Sequence, residues 1–330
     1  MYENRTKNQH FISQAEQRLN ALNPKVAKER QRIYEFRVHD RDVPILSLTN
    51  DHGQKIECTL SFNDLFSFDT TGGSEVRSNL ETLFGDYERD LVLHSTQLLS
   101  KLSAKPTPDI KPELLSLFVG KFLNFLRNPN SIQKVLNTFG VAGQYAPSNP
   151  SLRKVFEQIL SGNRPHQKRI CENFKLEDTD YEKWLRILFL LLAKPTKDPL
   201  NLFESTVKNI FESHYVIVQV YEYTKQDNRH CCLLSDRGFN VPIPNDLGLA
   251  FEFNVSSRAF IRFCFFNPRN FIPPGSRPEL VESVMAGVKG LVHVQRIEND
   301  LPSLLKYNQL TVFQCASNVY CASTEPLLHL

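Results

Sequence analysis

The spacing of apolar residues changes period twice along this chain. Over residues 32–38 (Arg-Ile-Tyr-Glu-Phe-Arg-Val) and 44–48, apolar and polar positions alternate, which predicts two strands. Asp51-His52-Gly53 reads as the turn after them and 56–60 as a third strand. Ahead of these strands, Ser13-Gln14-Ala15-Glu16 has the form of a capping box. It predicts a helix over 14–22, stopped by Asn23-Pro24.

From residue 74 the period lengthens. Leu80, Phe84, Tyr87, Leu91, Leu98 and Leu102 recur at helical spacing, and Pro106 ends that element. The helix after Pro112 is apolar around most of its circumference, the mark of a buried helix, and stops at Arg127-Asn128-Pro129. Shorter helices are predicted over 131–139, 151–160, 181–192 and 201–213. At Tyr215 the alternation returns, with strands predicted over 215–221, 230–234, 239–243 and 258–265. Residues 278–296 and 301–317 read as two helices, the second with Asp300 as N-cap and Pro302 in its first turn. This order predicts an α+β protein of one domain over 1–330: a β-containing stretch to 70, a helical middle over 74–213, then β and two helices over 215–330. The N- and C-terminal β regions would pair into a mixed or antiparallel sheet.

The 330 residues, 41% hydrophobic and 23% charged, suffice for a sizeable core, and 24 Phe supply large side chains for it. A net charge of +3 is too small to argue nucleic-acid binding from charge alone. The seven Cys form no Cys-x-x-Cys pair, and the first ten residues hold no apolar stretch of a signal peptide. The longest apolar run, 184–193, is broken by Arg186 and falls short of the roughly 20 residues needed to span a bilayer. These features predict a cytoplasmic protein with free thiols and no membrane association.

No complete catalytic motif is present, so the candidates are individual polar residues. His10 and Gln14 flank a predicted helix start, where free N–H groups favour an anion; a solvated cap is the structural alternative. Glu81 and Glu88 share a helix face with Gly85 between them. They could bind a metal or position a water, or simply form ion pairs. Arg127 closes a buried helix and could hold a phosphate or Glu88. Asp236, in Ser235-Asp236-Arg237-Gly238 after a predicted strand, suits an open-sheet site and equally an Asx turn. The basic runs over 25–32 and 164–169 could meet phosphates or be solvated faces.

The order of these segments resembles one bacterial family. His10-Phe11-Ile12-Ser13-Gln14, the strand with Ile33-Tyr34-Glu35-Phe36, Leu80-Glu81 with Glu88, Phe125-Leu126-Arg127-Asn128-Pro129, Leu233-Leu234-Ser235-Asp236 and Tyr307-Asn308-Gln309 are similar to successive motifs of the domain of unknown function 4238 family. Ser13 stands where that family usually has Pro, and Gly238 where Pro is common. The family's activity is not established, but some members are candidate antiphage genes. The resemblance implies a bacterial cytosolic protein with a defence or toxin role.

If His10, Gln14, Glu81, Glu88, Arg127, Asp236 and Asn308 converge, they form a pocket suited to cleaving a phosphodiester, RNA being favoured over DNA. His10, Glu88 and Asp236 would be catalytic, and Gln14, Arg127 and Asn308 would bind substrate. Glu81, Glu88 and Asp236 are the candidate ligands of a divalent metal. The alternative is a non-enzymatic sensor or interaction component that answers to a phage-derived trigger or partner protein.

Overall fold

The computed structural model describes residues 2–71, 76–104, 109–194, 199–225, 227–242 and 248–329. The N-terminal region contains β1 (Asn8–His10), α1 (Gln14–Arg18), β2 (Arg32–Asp40), β3 (Ile45–Leu48), β4 (Gln54–Lys55), β5 (Ser61–Asn63), β6 (Ser67–Thr71) and β7 (Val76–Asn79). The helical middle holds α2 (Gly85–Ser103), α3 (Lys111–Arg127), α4 (Ile132–Phe139), α5 (Pro150–Ser161), α6 (Gln167–Phe174), α7 (Asp178–Leu192) and α8 (Leu202–Ser213). The C-terminal region contains β8 (Tyr215–Glu222), β9 (Leu234–Ser235), β10 (Gly248–Ser256), β11 (Ala259–Phe266), α9 (Pro278–Val288), β12 (Val292–Glu298), α10 (Leu301–Gln314) and β13 (Asn318–Cys321). The fold is α+β, as the periodicity predicts.

The two ends of the chain do share a sheet. Its order is β3-β2-β13-β9, with β4 also on β2, and β13 pairs antiparallel to β2 so that Tyr320 faces Glu35. A second sheet, β10-β11-β8-β12, belongs to the C-terminal region alone; it is mixed, because β12 runs parallel to β8. Two ribbons, β1–β5 and β6–β7, complete the β structure among the described residues.

The predicted buried helix is α3, and it joins the layers. Phe118 projects among Phe251, Phe253, Phe263 and Phe265 of the second sheet, with ring centroids 5.9, 5.8, 5.0 and 5.2 Å away and all edge-on. Behind α3, the fully buried Trp184 of α7 donates Nε1–H to the Leu126 carbonyl at 2.8 Å. No helix among the described residues is long and apolar enough to cross a membrane.

Several predicted elements change. The strand expected over 56–60 is a 3-10 turn, Ile56–Cys58, because Ile56 turns into the core and Leu60 takes a left-handed conformation (φ 53°) that reverses the chain. The helix expected from 74 begins only at Gly85; β7 and the 3-10 turn Glu81–Leu83 precede it, while 74–75 and Pro106 lie outside the described residues. The helix expected over 14–22 stops at Arg18, where Asn20 donates back to the Glu16 carbonyl at 3.3 Å. Within 278–296 only Pro278–Val288 is helical; Gly290 at φ 73° breaks it and β12 follows. Of 230–234 only Leu234 belongs to a strand, and 239–243 contributes one isolated bridge, Asn240 to Glu252, with 243 outside the described residues. The periodicity missed α6 and the strands β1, β4, β5, β6, β10 and β13.

Candidate functional site

Lys121, Asn124 and Arg127 fall three residues apart on α3 and therefore share one face. In an apolar helix, such a polar stripe must find partners. It finds them in the N-terminal segment and in the start of α2.

The N-terminal segment is held rigidly. Gln9 Oε1 accepts from the Phe66 backbone N–H at 2.5 Å, and its amide donates to Thr6 O and Ser67 Oγ, both at 3.1 Å. Ser13 caps α1, accepting the Glu16 N–H at 3.1 Å. Only half of the predicted capping box forms, because the Glu16 carboxylate turns away from the cap into the core. There it pairs with Lys121, both side chains fully buried, and accepts from Asn124 Nδ2 at 2.6 Å. Burial pulls the Lys121 ammonium below its usual range, and Glu16 opposes that pull.

Asn124 links this pair to Arg127, accepting from its Nη2 at 3.1 Å. Arg127 Nη1 reaches Glu88 Oε1 at 2.5 Å, and the guanidinium lies over the Phe84 ring, 5.2 Å from its centroid. Arg127 is only 2% exposed, whereas Glu88 is 31% exposed, so the chain of contacts runs from a dry core to the surface. Gly85 borders open space there: a Cβ added to it would meet nothing within 4 Å.

His10 and Glu81 complete the cluster. Burial lowers the His10 imidazole to about 4; carbonyls of Ile56 and Glu57 and the charge of Glu88 pull it up, and Arg127 pushes it further down. Burial raises the Glu81 carboxyl to about 7, with Glu88 adding to the rise and Arg127 opposing it. At neutral pH the Glu88–Arg127 pair therefore acts on an uncharged imidazole and on a carboxyl poised between its two forms. His10 Nε2, Glu81 Oε1 and Arg127 Nε have no hydrogen-bond partner among the described residues.

Of the predicted residues, Glu88 and Arg127 thus pair directly, and their charges act on both His10 and Glu81. Gln14, Asp236 and Asn308 are engaged elsewhere. Gln14 accepts from Arg18 Nη2 at 2.6 Å along α1. The Asp236 carboxylate accepts three backbone N–H groups, of Ala316, Ser317 and Asn318, at 2.7, 2.6 and 2.9 Å, and so fixes the turn into β13. Burial raises its pKa while those N–H groups pull it down. Asn308 accepts the Leu233 N–H and donates to the carbonyls of Cys231 and Leu327, each at 3.0 Å. Asp236 touches the site indirectly: its carbonyl accepts from Asn128, the residue after Arg127, at 2.7 Å. Glu81, Glu88 and Asp236 do not converge as a ligand set. Among the described residues no three His, Cys, Asp or Glu side chains are grouped to hold a metal ion.

Glu16, Lys121 and Asn124 were not singled out from the sequence. The available signal was Lys121 and Asn124 interrupting an otherwise apolar helix. No protein-family model, no curated protein and no solved structure matches this chain.

Proposed function

We propose that the His10–Glu81–Glu88–Arg127 cluster is an acid–base centre that cleaves RNA, in a bacterial cytosolic protein of defence or toxin type. The observation that carries this reading is the divergence of two titratable groups that both feel the Glu88–Arg127 ion pair: His10 is pushed down to about 4 and Glu81 up to about 7. Environments that drive two groups apart in this way assign a base and an acid. Between those values His10 is free to accept a proton and Glu81 still holds one to give.

RNA carries its own nucleophile, the 2′-hydroxyl, which an acid–base pair can use directly. His10 takes the 2′-OH proton as the oxygen attacks the adjacent phosphorus. The bond from phosphorus to the 5′-oxygen breaks, and Glu81 protonates the leaving oxygen. Arg127, held in place by Glu88 and Asn124, faces the charge that builds on the phosphoryl oxygens. The products are a 2′,3′-cyclic phosphate and a 5′-hydroxyl. The order of segments that resembles the domain of unknown function 4238 family supports the bacterial defence setting.

A second reading, a sensor or interaction component of a defence system, draws on the burial of Arg127, which suits a network that ties the N-terminus to α3. Expression in bacteria separates the two. The enzyme reading predicts that induction cuts cellular RNA and arrests growth, and that His10→Asn and Glu81→Gln, both still folded, abolish the cuts. Intact RNA with persisting growth arrest in all three proteins selects the second reading.

A further inference from the structure

The ribbon that carries His10 also carries a hollow. In β1–β5, Asn8 pairs with Asn63, Gln9 with Phe62 and His10 with Ser61. Side chains alternate along a strand, so Asn8, His10, Ser61 and Asn63 share one face of the ribbon. Gln9 and its partner Phe62 lie on the other face, where Gln9 is fully buried. A surface hollow of about 340 Å³ opens at this end, lined by Asn8, Cys58, Ser61, Phe62, Asn63 and Arg169. Ser61 in its wall stands directly across from His10, and Cys58 ends the turn whose Ile56 and Glu57 carbonyls act on the His10 ring.

The hollow combines flat and polar surfaces. The Arg169 guanidinium lies over the Phe62 ring at 5.2 Å, and Phe174 buttresses that ring edge-on at 5.3 Å. Arg169 is itself held, donating Nη2–H to the Asn63 carbonyl at 2.9 Å. Asn8 is fixed through its bond to the Glu57 carbonyl at 2.7 Å. Planar guanidinium and aromatic groups stack on any base, and side-chain amides can both donate to and accept from a base edge. The basic run over 164–169 enters α6 at this point.

We propose that this hollow is a nucleobase subsite: it takes one unpaired base of a single-stranded RNA, stacked against the Phe62–Arg169 pair at the end of the ribbon that carries His10. The inference rests on the RNA reading of the His10 centre and names how that centre selects its substrate. A duplex, whose bases are already stacked and paired, has no base to offer it.

The test measures binding rather than turnover, with a fluorescein-labelled 2′-O-methyl oligouridylate that lacks the attacking hydroxyl. Wild type binds it. Arg169→Lys keeps the charge but loses the plane, and Phe62→Leu loses the ring; each weakens binding about tenfold or more. Bound oligomer also protects Cys58, an exposed thiol, from iodoacetamide. Affinity unchanged in Arg169→Lys, full alkylation of Cys58 in the complex, or no binding by wild type overturns the subsite. A protein that binds through the hollow yet leaves ordinary RNA uncut keeps the subsite and removes the proposed cleavage. One that cuts RNA with undiminished affinity in Arg169→Lys does the reverse.

Discussion

Replacing Lys121 with Met removes one half of a fully buried ion pair and leaves the volume nearly unchanged. The Glu16 carboxylate then keeps only the Asn124 amide at 2.6 Å, in a site with no exposure to water. Leaving a buried charge without its partner costs about 3–5 kcal/mol. That is a large share of the roughly 5–15 kcal/mol that separates folded from unfolded chains. In urea the midpoint falls by on the order of 1 M. Unfolding can be followed by the fluorescence of Trp184, the single tryptophan, which is buried against Leu126 at the end of α3. The double variant Glu16→Gln/Lys121→Met removes both charges of the pair and recovers most of the loss, a coupling of about 2–3 kcal/mol. A single-variant cost below about 1 kcal/mol, or additive behaviour of the two changes, refutes the reasoning that this pair anchors the N-terminal segment to α3.

Asp236→Ala strips the acceptors from three backbone N–H groups in the turn before β13 and lowers stability by about 3 kcal/mol, measured by thermal or urea unfolding. Gln14→Ala loses only a pair along the α1 surface and changes stability by at most about 0.5 kcal/mol in the same assay. Glu81, raised from 4.5 to about 7, binds its proton more tightly folded than unfolded. Its contribution is complete below 4.5 and is lost as pH rises through 7. His10, lowered from 6.5 to about 4, has the opposite slope: its contribution is complete above 6.5 and lost as pH falls through 4. Glu81→Gln therefore gains about 2–3 kcal/mol on wild type between pH 5 and pH 8, read from urea midpoints at the two pH values.

Much of the fold was legible because its signals are local. The apolar circumference of α3 and the alternation of β8 each named their element without help from the rest of the chain. Elements whose signal lies in a partner were not. β13 is four residues long and is a strand because β2 and β9 flank it. β12 reads as a continuation of α9 unless Gly290 is taken as a helix stop, a role its positive φ fulfils.

The site divides along the same line. His10 stood out at a predicted helix start, Glu81 and Glu88 as carboxylates on one predicted helix face and Arg127 at the end of a buried helix, and the Glu88–Arg127 pair acts on the other two. Asp236 stood out at the end of a predicted strand and Asn308 through the family resemblance, yet their side chains satisfy backbone groups of β13, the C-terminal tail and the segment before β9. A carboxylate that caps a turn and one that moves a proton look alike in sequence, because the difference lies in whether N–H groups already occupy it. Glu16 was hidden by its capping-box position, which accounted for it before Lys121 and Asn124 were seen to claim it.

The most direct test incubates purified wild-type protein, His10→Asn and Glu81→Gln with single-stranded RNA across pH 4 to 8 and identifies the ends produced. Wild type yields 2′,3′-cyclic phosphate and 5′-hydroxyl ends, with a rate that peaks between about 4 and about 7, while both variants, folded by Trp184 fluorescence, yield none. Intact RNA with the wild-type protein, or undiminished cleavage in both variants, contradicts the assignment of this cluster as the acid–base centre.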